Sequence, residues 1–205
     1  MLISARESSR ILALEGLSRQ QSRRVLLSGM AGPALPTGGV LLYDEDHVRE
    51  LGHWAPIEHE DLLTMCPGGV LVVRVGPGDE LEDTWSWDRR VEALRHQPYL
   101  GFAAWLQVRA HLAVHGRLAS VFTVCGFPVL LADLVSFDGK GDQVELGLER
   151  PGEWSSLLHE RRLVTSPGPR WLVLGAQPYL GRAARARDRG EPVNAGRSTT
   201  WTRWA

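Results

Sequence analysis

Two helix-start signals fourteen residues apart, with a glycine between them, constrain this chain more than any other feature. Ser4-Ala5-Arg6-Glu7 has capping-box spacing, in which the Ser4 hydroxyl accepts the Glu7 amide and the Glu7 carboxylate returns to the Ser4 amide. The helix it opens carries Ile11, Leu12 and Leu14 and stops at Gly16, where a residue without Cβ lets the chain turn. Ser18-Arg19-Gln20-Gln21 is a second box. Its helix can turn Leu17, Val25 and Leu26 toward the first, leaving Arg19, Gln20, Arg23 and Arg24 on or near the outer side until Gly29 ends it.

Two short helices joined through Gly-Leu-Ser, the second with Arg and Gln near its start, make a helix-turn-helix. The second helix of such a pair fits a major groove, with early residues reaching base edges and the flanks holding phosphates. Ala34-Leu35-Pro36 and Val40-Leu41-Leu42-Tyr43 then bracket Thr37-Gly38-Gly39 as a hairpin, and Asp44 can cap a third helix through Val48 and Leu51. Helix, turn, helix, hairpin, helix is a winged order.

The strings Glu7-Ser8-Ser9-Arg10-Ile11-Leu12 and Gly16-Leu17-Ser18-Arg19-Gln20-Gln21-Ser22-Arg23-Arg24, followed by Gly29, Gly39, Tyr43 and Val48, resemble the winged helix of MerR-like and excisionase-like DNA-binding proteins. The resemblance covers the N-terminal quarter of the chain. It implies that the second helix enters the major groove and that the wing touches the neighbouring backbone. By position this assigns Arg6, Arg10, Ser18, Arg19, Gln20, Ser22, Arg23 and Arg24 to DNA, with Thr37 and Gly38 of the wing nearby. Ala13-Leu14-Glu15 lengthen the first helix relative to that pattern, and Gln21-Ser22 replace its usual Thr and β-branched residue, so base specificity does not carry over.

Charge agrees once it is partitioned. The 205 residues hold 23 Lys+Arg against 24 Asp+Glu, a net −1, yet residues 1–30 carry five Arg and two Glu. Residues 182–205 carry six Arg against Asp188 and Glu191, so ends of +3 and +4 flank a centre of −8. No window reaches the roughly 18 apolar residues of a membrane span. Met1 to Glu7 contain no basic start followed by an apolar run, and Cys66 and Cys125 are far apart and outside any Cys-x-x-Cys pair. A cytoplasmic protein with reduced thiols is the expectation.

His53-Trp54-Ala55-Pro56 opens an expected linker reaching to Asp61. Beyond it the pattern predicts a buried strand over Gly69–Val75, helices over Trp85–His96 and Phe102–His115, and a β-rich stretch from Arg117 to Phe137. A hairpin follows at Asp138-Gly139-Lys140-Gly141, then a strand over Val144–Glu149, a helix over Ser155–Leu163 and a strand over Trp171–Leu174. The fold class is therefore α+β: a winged helix-turn-helix over 1–54, a mixed α+β domain over 62–181, and a flexible basic tail over 182–205. Gln97-Pro98-Tyr99-Leu100-Gly101 recurs as Gln177-Pro178-Tyr179-Leu180-Gly181 and is assigned no chemistry. Of the tryptophans, Trp85, Trp87, Trp105, Trp154 and Trp171 fall at periodic positions and read as core, while Trp201 and Trp204 lie in the tail.

No catalytic constellation emerges. His47, His53, His59 and Cys66 match no metal-ligand spacing, Gly76-Pro77-Gly78-Asp79 lacks the rest of a phosphate loop, and Cys125 has no base beside it in sequence. Neither metal nor cofactor is expected. The leading expectation is a DNA-binding transcription regulator that acts as a homodimer on double-stranded DNA, its central domain sensing a small molecule or recruiting a protein. A second reading makes the winged helix a protein-docking surface. A third, an enzyme with its site in the central domain, has no motif in its favour.

Overall fold

The computed structural model describes residues 1–76, 81, 85–98, 100–140, 143–164 and 168–175. Ser4 caps α1 (Ala5–Leu14), its hydroxyl accepting the Glu7 amide at 3.3 Å. The other half of that expected box is absent, because the Glu7 carboxylate turns to Arg10, 3.3 Å away. At α2 (Arg19–Leu27) the box is complete: Gln21 N–H donates to the Ser18 hydroxyl, and Ser18 N–H donates to Gln21 Oε1 at 2.8 Å. Leu12 and Val25 are fully buried where these helices cross, with Leu17 and Leu26 beside them. Each such side chain contributes roughly 1.5–3 kcal/mol. Leu14, two residues on from Leu12 and so turned about 160° away from it around the helix, is 86% exposed.

A two-residue hairpin joins β2 (Leu35–Thr37) to β3 (Val40–Asp44), and both of its turn residues, Gly38 and Gly39, have positive φ, at 57° and 81°. That geometry needs glycine. Pro36 faces Leu41 across the pair, on the strand at the rim of the sheet. The sequence pattern missed β1 (Leu2–Ser4), too short to show alternation, which pairs antiparallel with the other side of β3. Asp44 then caps α3 (Glu45–Gly52), accepting the Asp46 and His47 amides, and these bonds hold its carboxyl below the usual range. Tyr43, Val48 and Leu51 close the core.

The expected linker at residues 53–61 is not one. Ala55–Ile57 forms β4, which pairs in parallel with β10 (Arg161–Leu163), and α4 (His59–Met65) follows directly. A three-residue strand needs only one buried side chain, Ile57, to be anchored. Residues Met1–Gly175 accordingly form one compact unit.

Its centre is a six-stranded sheet in the order β11-β5-β7-β8-β9-β6, built from β5 (Val70–Arg74), β6 (His96–Pro98), β7 (Leu118–Val124), β8 (Phe127–Lys140), β9 (Gln143–Glu149) and β11 (Trp171–Leu174). Only β5 and β7 are parallel neighbours. β5 is buried on both faces, which explains its continuous apolar run. Leu71 and Val73 pack into a core shared with α5 (Trp87–Leu94), α6 (Phe102–His115) and the N-terminal helices. Val70 and Val72 face a second core with Ile57, Leu62, Leu158 and Leu163. Two details depart from expectation. Asp138, Gly139 and Lys140, expected in the hairpin turn, belong to β8, which pairs antiparallel with β9 as far as Lys140 and Gln143. The segment from Ser155 to Leu163 divides into a 3-10 helix (Glu153–Leu158) and β10, because Arg161–Leu163 gains a strand partner in β4.

The first Gln-Pro-Tyr-Leu-Gly copy begins in β6, where buried Gln97 donates to the Leu94 carbonyl and accepts from Arg170. The second copy, the arginine-rich run 182–189, Trp201 and Trp204 lie outside the described residues. The architecture is mixed α+β, and no helix among the described residues is long and apolar enough to cross a membrane.

Candidate nucleic-acid interface

The ten residues assigned from the sequence separate into three groups. Arg6 and Arg10 from α1 and Arg19, Gln20 and Arg23 from α2 line one groove of about 1030 Å³. Its remaining lining residues are Ala5, Ser9 and Ala13, one helical turn apart along α1. Small side chains there leave the space that longer ones would fill, and Ser9 uses its hydroxyl internally, donating to the Ala5 carbonyl at 2.8 Å. Four arginines and three small residues thus line the groove, and no Asp or Glu is among its lining residues. The nearest recorded acid contact is Glu7 with Arg10, an exposed pair of little energetic weight.

Ser22 and Arg24 belong elsewhere. Ser22 is fully buried, and its hydroxyl donates to the Ser18 carbonyl at 3.0 Å, so it cannot reach a base edge. The cause is helical phase: Ser22 lies three residues before Val25 and four before Leu26, on the face packed against α1. Arg24 bends back to donate to the Val75 carbonyl at 3.2 Å, tying α2 to the end of β5. Its charge also acts on Cys125, partly opposing the burial that raises that thiol's pKa. Ser18 is exposed but serves chiefly as the α2 cap.

Thr37 and Gly38 are exposed at the hairpin tip and are not part of the groove lining. No cationic side chain lies between Gly29 and Asp44. Instead Leu35, Val40 and Leu41 are exposed at 48%, 48% and 37%. Sequence reasoning missed Ala5, Ser9 and Ala13 as site residues, although their spacing of four was visible.

Away from the groove lining, α3 faces two further cavities through Glu50 and Leu51. Trp54, Trp85 and Trp87 line the larger-volume one of the two, the last two also half-buried against the main core, as their periodicity suggested. Among the described residues no group of three His, Cys, Asp or Glu side chains is placed to hold a metal ion. Burial and the Asp133 charge push the Cys66 thiol up to about 11, which keeps it protonated.

The fold and groove define a mixed α+β protein with an arginine-lined groove between its first two helices. No family model matches the chain, and comparison with curated proteins and with solved structures returns no match.

Proposed function

We propose that residues 1–54 form a winged helix-turn-helix that binds double-stranded DNA, and that the chain is a transcription regulator acting as a homodimer. The observation that carries this is the groove between α1 and α2, which Arg6, Arg10, Arg19 and Arg23 line with no Asp or Glu among the lining residues. Arginines in this arrangement can fork onto phosphates, and Gln20 beside them can make a paired hydrogen bond to a base edge. A module of this size buries too little surface for tight specific binding alone, which is the reason for expecting two copies on one site.

The deciding measurement is fluorescence anisotropy of labelled duplex DNA against salt. Arg19→Ala with Arg23→Ala should weaken binding and lower the magnitude of the log-log salt slope by about 2, near 0.9 per lost phosphate contact. Binding to a genomic fragment pool that is identical for wild type and double variant overturns the proposal.

A protein-docking reading has one observation in its favour, the exposed Leu35, Val40 and Leu41 on a wing without cations. Nuclease-resistant capture of a protein partner, lost in Leu41→Ser and accompanied by no DNA binding at low salt, would favour it.

A further inference from the structure

We propose that the cleft between α3 and the three tryptophans binds a flat, uncharged, fused-ring aromatic molecule. Two cavities of about 310 and 610 Å³ adjoin through the lining residues they share, Glu50, Trp54, Arg90 and Pro128, and together make the cleft. This is the size range of small-molecule sites, which favour junctions between structural units. One wall is α3, and the other comes from α5, the start of β8 and the 3-10 helix.

The indoles are held in place rather than loosely exposed. Trp54 packs against Phe127 with ring centroids 5.8 Å apart, and the Trp87 indole N–H donates to the Leu131 carbonyl at 2.9 Å. Arg90 donates from Nε to the Trp85 carbonyl and from a terminal nitrogen to the Val129 carbonyl, at 3.1 and 2.8 Å, fixing α5 against β8. Rigid indole surfaces suit a planar ring system, because stacking then costs little side-chain ordering.

Charge narrows the ligand. Arg89 lies 4.1 Å from the Trp85 ring centroid and Arg150 lies 4.8 Å from that of Trp87, so the rings already carry cations that would repel another. An anion would meet Glu50 and Glu160 at the lining, while Arg90 spends donors on backbone carbonyls. An uncharged ring system avoids both penalties.

Acridone is a suitable probe, since it is planar, neutral and accepts energy from excited tryptophan. With the full chain, tryptophan excitation should give saturable acridone emission at one site. Ser156→Trp fills the cleft from its exposed 3-10 rim and gives up only one local hydrogen bond, to the Glu153 carbonyl. It should weaken acridone binding roughly tenfold or more, with the melting temperature and far-ultraviolet circular dichroism unchanged. The cation 10-methylacridinium and the anion acridine-9-carboxylate should both bind more weakly than acridone. Three results overturn the proposal: no saturable transfer up to the solubility limit, equal affinity in a folded Ser156→Trp protein, or tighter binding of either charged analogue. None of these readouts involves DNA, so their failure leaves the nucleic-acid reading standing.

Discussion

The first fifty residues present two unlike surfaces to solvent. Between α1 and α2, arginines and small residues line a groove; beside α3, Glu50 lines a cavity with Trp54 and with Trp85 and Trp87 from later in the chain. The groove is built from residues within eighteen positions of one another, whereas the cleft joins residues more than a hundred apart. A local surface of this kind follows from helical phase alone. The cleft needs the long-range ties that hold the N-terminal helices to later segments: Arg24 donates to the Val75 carbonyl beside β5, Arg162 of β10 donates to the Glu15 carbonyl, and β10 pairs with β4 just after α3.

The largest blow to both surfaces at once should come from Leu12→Ala, which opens a cavity where α1 and α2 cross and costs about 2–5 kcal/mol. Chemical denaturation would measure it. If the indole signal survived while the helices melted, the two surfaces would belong to separate folding units. A more selective break is Arg19→Ala with Arg23→Ala, expected to lower DNA affinity and its salt slope while leaving acridone binding intact.

Arg24→Ala should do the reverse, because its partner is the Val75 carbonyl rather than the groove. We expect a stability loss of about 1 kcal/mol from the missing hydrogen bond, read as a lower denaturation midpoint, with the salt slope unchanged. A reduced slope in this variant would return Arg24 to the DNA face. Acid gives the smallest effect. His111 is buried, and desolvation, followed by the nearby His115 charge, lowers its pKa below the ordinary value. The folded state therefore resists protonation that the unfolded chain accepts. Stability is full above about pH 6.5 and declines as pH falls below it. Thermal melts across that range, flattened by His111→Gln, would check this, and coincident loss of both surfaces would show that they unfold together.

How far the sequence could lead differs between the two surfaces for a physical reason. The caps at Ser4, Ser18 and Asp44 are side-chain to backbone bonds within three residues, so the α1, α2 and α3 starts were readable. The same locality exposed the Gly38-Gly39 hairpin. What it could not give was the fate of side chains beside the packed face: Val25 and Leu26 were readable as inward, yet Ser22 was assigned to the groove although it shares their face, and the Arg24 bond to the Val75 carbonyl spans fifty-one residues. β4, β10 and β11 show the same division. Trp171–Leu174 carries enough apolar length to be recognised, while Ala55–Ile57 and Arg161–Leu163 are strands only through each other. Trp85 and Trp87 sit at helical spacing and read as core, because nothing local records that a cleft lies between them and α3.

Pro36 has a consequence for the protein's behaviour at high concentration. It occupies the edge strand of the small three-stranded sheet, between the exposed side chains of Leu35 and Leu41. A greasy, unpaired strand edge is ordinarily a template on which further chains stack into aggregates. Proline offers no N–H there, so a docking strand would find one rung of the ladder missing. The hairpin can thus keep an apolar surface exposed without becoming a seed for fibre growth.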